Sequence, residues 1–224
     1  MAGLRQGMWR KEWVDGEVHE GPYDGGRVHG FWTLTQADGI RSTGRHERGS
    51  AVGEWRIEFP DGRVYRGAYR EGRRHGRWIF EHPDGDRMEG RYAHGMEAGR
   101  WTYVYSGGRV DEGRKGNGKR VGSWTQVWPD GYSETGVYRK DKRHGLWRIA
   151  WPDGRLVEAM YEDGALDGET VIRVPEKPVE RRLYRNGAFV GAAGAAPAPA
   201  SAASAPPAPM PPLPQPHPDG GALR

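Results

Sequence analysis

Downstream of Trp55, the apolar residues Ile57 and Phe59 alternate with the polar Arg56 and Glu58. Alternation with period two marks a strand with one covered face. The run ends at Phe59-Pro60-Asp61-Gly62, which reads as a type I turn closed by a glycine at positive φ. Proline presets φ at the first corner, and glycine best tolerates the last. A second strand is predicted from about Arg63 to Tyr69. It ends at Glu71-Gly72, whose counterparts Asn117-Gly118, Asp163-Gly164 and Asn186-Gly187 are strong short-hairpin signals. The local element is therefore a β-hairpin. No helical periodicity appears in this span.

The hairpin recurs. Gly-x-Trp places Trp9, Trp32, Trp55, Trp78, Trp101, Trp124 and Trp147 at a constant interval of 23 residues. Asp-Gly turns keep step from Asp15-Gly16 to Asp153-Gly154, with Gly107-Gly108 in the one remaining place. A third row is Gly21, Gly44, Gly67, Gly90, Gly113 and Gly136. Two residues beyond that row's position run Tyr23, His46, Tyr69, Tyr92, Lys115, Tyr138, Tyr161 and Tyr184. Such self-similarity defines a repeat array. The predicted fold class is all-β: an elongated single-sheet antiparallel meander of 23-residue hairpin repeats, about eight units over residues 7–191, after a lead-in of residues 1–6.

In this register each Trp aligns with the Trp of the next unit. The glycine row leaves the space that a neighbouring indole covers. The seven Gly-x-Trp tryptophans are expected to form the structural core, while Trp13, Trp128 and Trp151 share a second position just before the Asp-Gly turn. The last units depart from the pattern. Thr170 replaces Trp, Pro175-Glu176-Lys177-Pro178 replaces the Asp-Gly turn, and Ala193 stands where the next Trp is due. Residues 192–224 are rich in Ala, Pro and Ser, and a disordered tail with polyproline II character is predicted there.

Composition sharpens the picture. Only 35% of residues are hydrophobic and the mean hydropathy is -0.89, so a thick aliphatic core is excluded. Burial must come from aromatics in a thin structure. With no cysteine, disulfide and thiolate chemistry are excluded. The opening MAGLRQGMWRKEW lacks an apolar core of signal-peptide length. No apolar run approaches the roughly 20 residues of a spanning helix. A cytoplasmic location, or one peripheral to a membrane, is the expectation.

The stretch Tyr65 to Trp78 resembles the MORN (membrane occupation and recognition nexus) repeat. Tyr65, Gly67, Tyr69, Gly72, His75 and Gly76 match its Tyr-x-Gly, glycine turn and His-Gly elements, and Pro60-Asp61-Gly62 also fits. Trp78 departs from the common form, which has glycine there. Gly-x-Trp resembles a bacterial variant found in antitoxin-type proteins. The resemblance covers residues 7–191 and implies only a scaffold or binding surface; the family also includes lipid-associated proteins.

Candidate chemistry largely dissolves into the repeat. Gly113 to Lys119 matches the Gly-x4-Gly-Lys part of a phosphate loop, but Arg120 stands in place of the Ser/Thr and no helix follows. His29, His75 and His144 share one repeat position, so they lie whole units apart. That is roughly 20 Å between His29 and His75, too far for one metal ion. No serine lies in a nucleophile-elbow pattern. The expected protein is not an enzyme and takes no cofactor, metal or specific nucleic acid.

One feature goes beyond fold. With 34 basic and 30 acidic side chains the chain is only mildly basic, yet the charges segregate. Arg73-Arg74, Lys119-Arg120 and Lys142-Arg143 follow the between-unit turns, while Asp15, Asp38, Asp61, Asp84, Asp130 and Asp153 line the other edge. These six basic residues form the candidate binding edge. The expected function is a non-catalytic protein-interaction or scaffold module, in the manner of an antitoxin. The alternative is peripheral binding to anionic membranes through this basic edge.

Overall fold

A computed structural model describes residues 3–192; the predicted disordered tail beyond Ala192 lies outside the described residues. The strands, in chain order, are β1 (Gly7–Glu12), β2 (Val18–Asp24), β3 (Arg27–Val28), β4 (Gly30–Thr35), β5 (Arg41–Glu47) and β6 (Ser50–Glu58). They continue as β7 (Val64–Arg70), β8 (Arg73–Glu81), β9 (Arg87–Ala93), β10 (Met96–Val104), β11 (Val110–Gly116) and β12 (Lys119–Val127). The last are β13 (Ser133–Arg139), β14 (Lys142–Ala150), β15 (Leu156–Glu162), β16 (Ala165–Arg173), β17 (Glu180–Arg185) and β18 (Ala188–Ala192). β3 and β4 are one strand interrupted at His29. Each strand pairs antiparallel with its neighbours in sequence, so the array is a single 18-stranded meander.

Two turn chemistries build it. At the Asp-Gly turns, Gly62 N donates to Phe59 O at 3.0 Å and Phe59 N to Arg63 O at 2.9 Å. The Asp61 side chain accepts from Arg63 N at 3.1 Å, which locks the corner. At the between-unit turns both central residues have positive φ, 52° at Glu71 and 74° at Gly72. This is the two-residue geometry that matches strand twist.

The Gly-x-Trp glycine plays a role that alternation does not show. From the Glu71-Gly72 turn, pairing runs Tyr69↔Arg74 and Ala68↔His75, then jumps to Gly67↔Trp78. Gly76, at φ 70°, and Arg77 are absorbed in a bulge. Without it, Gly67 would face Gly76, and Trp78 would slide past its glycine. The bulge recurs in every later unit up to β16, at Gly99, Gly122, Gly145 and Gly168.

The jump seats each indole on the glycine of the preceding unit. A Cβ built on Gly90 would lie 2.1 Å from Trp101 Cδ2, and the other glycines of the row stand equally close to their indoles. The indole N–H then takes a backbone carbonyl left free beside the bulge: Trp78 Nε1 donates to Ala68 O at 2.9 Å, and Trp124 Nε1 to Arg114 O at 3.0 Å. Trp101 Nε1 is buried with no protein acceptor. The exception in the row is instructive. Where Thr170 replaces Trp, the opposing position is Ala159, the one non-glycine facing a strand of this kind up to β16.

Trp32, Trp55, Trp78, Trp101, Trp124 and Trp147 are buried, with the tyrosine row wedged edge-on between them. Trp9, expected in the core with the others, is 42% exposed. It sits on the edge strand, where no preceding unit offers a glycine to cover.

His46 fills a tyrosine position between Trp55, at 5.0 Å, and Trp32, at 6.3 Å. Burial there holds its pKa below the usual value. The folded state therefore binds a proton less readily than the unfolded chain. Its contribution is complete above the ordinary histidine pKa of about 6.5 and is lost as pH falls below it. His46→Tyr should remove this loss: in melts at pH 8 and pH 5, the parent's Tm falls further than the variant's. An equal fall in both would show that His46 does not carry the effect.

Candidate interaction surface

The two long edges of the array are built differently. On the Asp-Gly edge most turns rest on the next unit's proline; a Cβ on Gly108 would lie 2.7 Å from Pro129 Cγ, whereas Gly85 faces Ser106. The turn aspartates are partly neutralised at home, Asp61 by Arg63 at 2.7 Å and Asp153 by Arg155 at 2.7 Å. On the other edge the hairpin tips are stitched together. Gly72 N donates to Ala51 O, Gly95 N to Arg74 O and Gly118 N to Glu97 O, each at 3.0 Å.

The six basic residues of the candidate edge do not form one strip. Arg73, Lys119 and Lys142 are exposed at the first position of β8, β12 and β14. Arg74, Arg120 and Arg143 follow directly and so lie on the opposite face, among the aromatics. The Arg74 guanidinium stands 4.5 Å from the Trp78 ring centroid, Arg120 4.0 Å from Tyr138 and Arg143 4.2 Å from Trp147. Here the cations form lids on the indole ladder, a role worth about 0.5–2 kcal/mol each. Strand alternation alone contains the signal that separates the two members of each pair.

Of the outward row, Lys119 and Lys142 come together with Arg139 and Lys140 around Asp163. Arg139 is held by Glu162 and Asp163, both at 2.8 Å. The turn in this unit is Lys140-Asp141, with φ of 51° and 71° and no glycine. The Asp141 carboxylate offsets part of that strain by accepting from Arg120 N at 2.8 Å.

A buried polar cluster interrupts the aromatic face, and sequence reading did not anticipate it. Asp111 accepts from Arg109 at 2.7 and 2.6 Å and from Gln126 at 3.1 Å. Nearby, Glu134 accepts from Arg143 and from the Tyr132 hydroxyl at 2.6 Å. Burial and the bond to Glu134 push the Tyr132 pKa above its usual value. The signal was present: Asp111 and Glu134 share the repeat position that holds Tyr65 and Val157 in other units, facing the covered side. Among the described residues no three His, Asp or Glu side chains converge as metal ligands.

No protein-family profile and no curated protein matches this sequence. Among solved structures, the G-box domain of the microcephaly protein CPAP is similar at 15% identity and TM-score 0.37, over 79% of this chain and 93% of that one. The TCP domain of Drosophila melanogaster SAS-4, solved in complex with a proline-rich motif of Ana2, is similar at 12% identity and TM-score 0.38, over 78% and 88%. The TCP10c domain of Drosophila melanogaster Sas-4 gives 11% and 0.38, over 78% and 97%. Scores of this size assign neither a family nor a function.

Proposed function

We propose that this chain is a non-catalytic protein-interaction module, a scaffold or antitoxin-like binder of the MORN type. The observation that carries the reading is the single-layer sheet. Aromatic burial is completed within one face, by indole on glycine and arginine on indole, and no element of the described array packs as a second layer. A large second face is left for a partner. The sequence resemblance to MORN repeats supports the same reading. The anionic-membrane alternative draws on the cations around Asp163.

Size-exclusion chromatography with light scattering, on protein recovered from its own cells, tests this. Co-elution of another protein at a fixed stoichiometry is expected. The opposite result is a chain that elutes alone and floats with phosphatidylserine vesicles at low salt but not at high salt. That outcome replaces the protein-binding reading with the membrane one.

A further inference from the structure

The residue before each Trp points away from the indole ladder, as does its cross-strand partner. Those partners are directly registered, so the open face carries one row of cross-strand pairs along the array. In β4/β5 and β6/β7 the pairs are Phe31↔Arg45 and Glu54↔Ala68. In β8/β9 and β10/β11 they become Arg77↔Arg91 and Arg100↔Arg114. In β12/β13 and β14/β15 they change again, to Ser123↔Val137 and Leu146↔Met160.

Two features of this row are not required by the fold. Like charges directly opposed across strands destabilise a sheet, and the same position tolerates Glu54↔Ala68 two strands away. Glu89 holds Arg77 at 2.6 Å and Glu112 holds Arg100 at 2.6 Å. Arg91 and Arg114 have no acidic partner among the described residues, although both are exposed. The second feature is apolar exposure in the adjoining units. Leu146 is 54% exposed, Met160 38% and Val137 37%, all on the same face. A shallow depression lined by Arg100, Arg114, Ser123 and Thr125, with Glu112 also at its wall beside Arg100, joins the two halves.

We infer that the open face from β8 to β15 docks an extended acidic segment of a partner protein that continues into an apolar stretch. The acidic part lies along Arg77, Arg91, Arg100 and Arg114, and the apolar part along Val137, Leu146 and Met160. Seven strand spacings make about 34 Å, the reach of about ten extended residues. The unpaired arginines supply charge complementarity, and the neighbouring side chains supply an apolar anchor. This inference rests on the protein-binding reading and assigns its surface.

The test uses fluorescent peptides carrying a block of glutamates, a Gly-Ser spacer and a block of leucines, in either order. Interleaved peptides of the same composition serve as controls, with binding read by anisotropy at low salt. The parent should bind one block order more tightly than the interleaved form. Arg91→Glu with Arg114→Glu should weaken binding at least about tenfold. Leu146→Ser with Met160→Ser should weaken it severalfold, while Arg73→Glu with Lys119→Glu and Lys142→Glu on the edge should not. Circular dichroism confirms folding, and Arg91→Gln with Arg114→Gln is the milder substitute if the charge reversal unfolds the array.

Equal affinity for block and interleaved peptides overturns the inference. So does an unchanged Arg91/Arg114 variant, or capture of phosphatidylserine vesicles with no peptide binding. A native protein partner that still binds the variants at full stoichiometry defeats this surface but leaves the protein-binding function standing. Absence of any such partner defeats the function itself.

Discussion

Truncating Trp78 to alanine is expected to cost about 3–5 kcal/mol, the usual penalty for removing a buried tryptophan. Trp78 is 0% exposed. It covers Gly67, donates to Ala68 O at 2.9 Å, and stacks on Phe80 with centroids 5.9 Å apart. Tyr69 and Tyr92 flank it edge-on, and the Arg74 guanidinium caps it. Each unit of the array touches only its neighbours, so the hole also uncouples what lies on either side. The melt should shift down by roughly 10 °C, at about 2–4 °C per kcal/mol for a chain of this size, and broaden or split into two transitions. Trp9→Ala is the control. At the exposed edge it should cost far less. A Trp78→Ala melt indistinguishable from that of Trp9→Ala would refute the ladder as the source of stability.

The second large effect is at Gly90. An alanine Cβ there would stand 2.1 and 2.3 Å from Trp101 Cδ2 and Cε2. No rotamer of a ring wedged between Tyr92 and Phe80 relieves that overlap, since their centroids lie 5.5 and 6.2 Å away. Gly90→Ala should therefore destabilise by about 1–3 kcal/mol, the range for overpacking a filled site. In a Trp101→Thr background the same change should cost little, because the chain already contains that combination at Ala159 and Thr170. Urea denaturation of the four proteins gives the coupling energy directly. Additive effects would mean that indole and glycine are not a pair. Gly107→Asp tests specificity: nothing lies within 4 Å of its Cβ site, and it restores the aspartate of the other turns, so stability should hold or rise.

Much of the fold was legible because its determinants are local. Pro-Asp-Gly and x-Gly dipeptides encode their own turns, whatever surrounds them. A constant 23-residue interval then leaves a sequential meander as the consistent topology. The glycine row under the indoles was readable for the same reason, since aromatic and glycine recur in fixed phase.

The candidate surface was less legible. Arg73-Arg74, Lys119-Arg120 and Lys142-Arg143 read as three basic pairs on one edge, but adjacent strand residues face opposite ways. Half of each pair therefore belongs to the aromatic face. The opposed Arg77↔Arg91 and Arg100↔Arg114 pairs lie 14 residues apart in sequence and become neighbours only through strand register.

Sequence alone determined the repeat, its turns, its strand order and the ring-on-glycine pairing. These follow from local conformational preference repeated in phase. Only the tertiary structure decided the left-handed glycine bulge at Gly76 and its counterparts. That bulge slides each between-unit ladder by two residues after its turn, and so decides which side chains meet from one unit to the next. A tight turn fixes the register of its own hairpin, but the bulge is held by packing of the indole on a glycine of the neighbouring strand, which the turn dipeptide does not specify. The exposed Trp9 is a second such outcome: it lies on the edge strand, where no preceding unit supplies a glycine to cover.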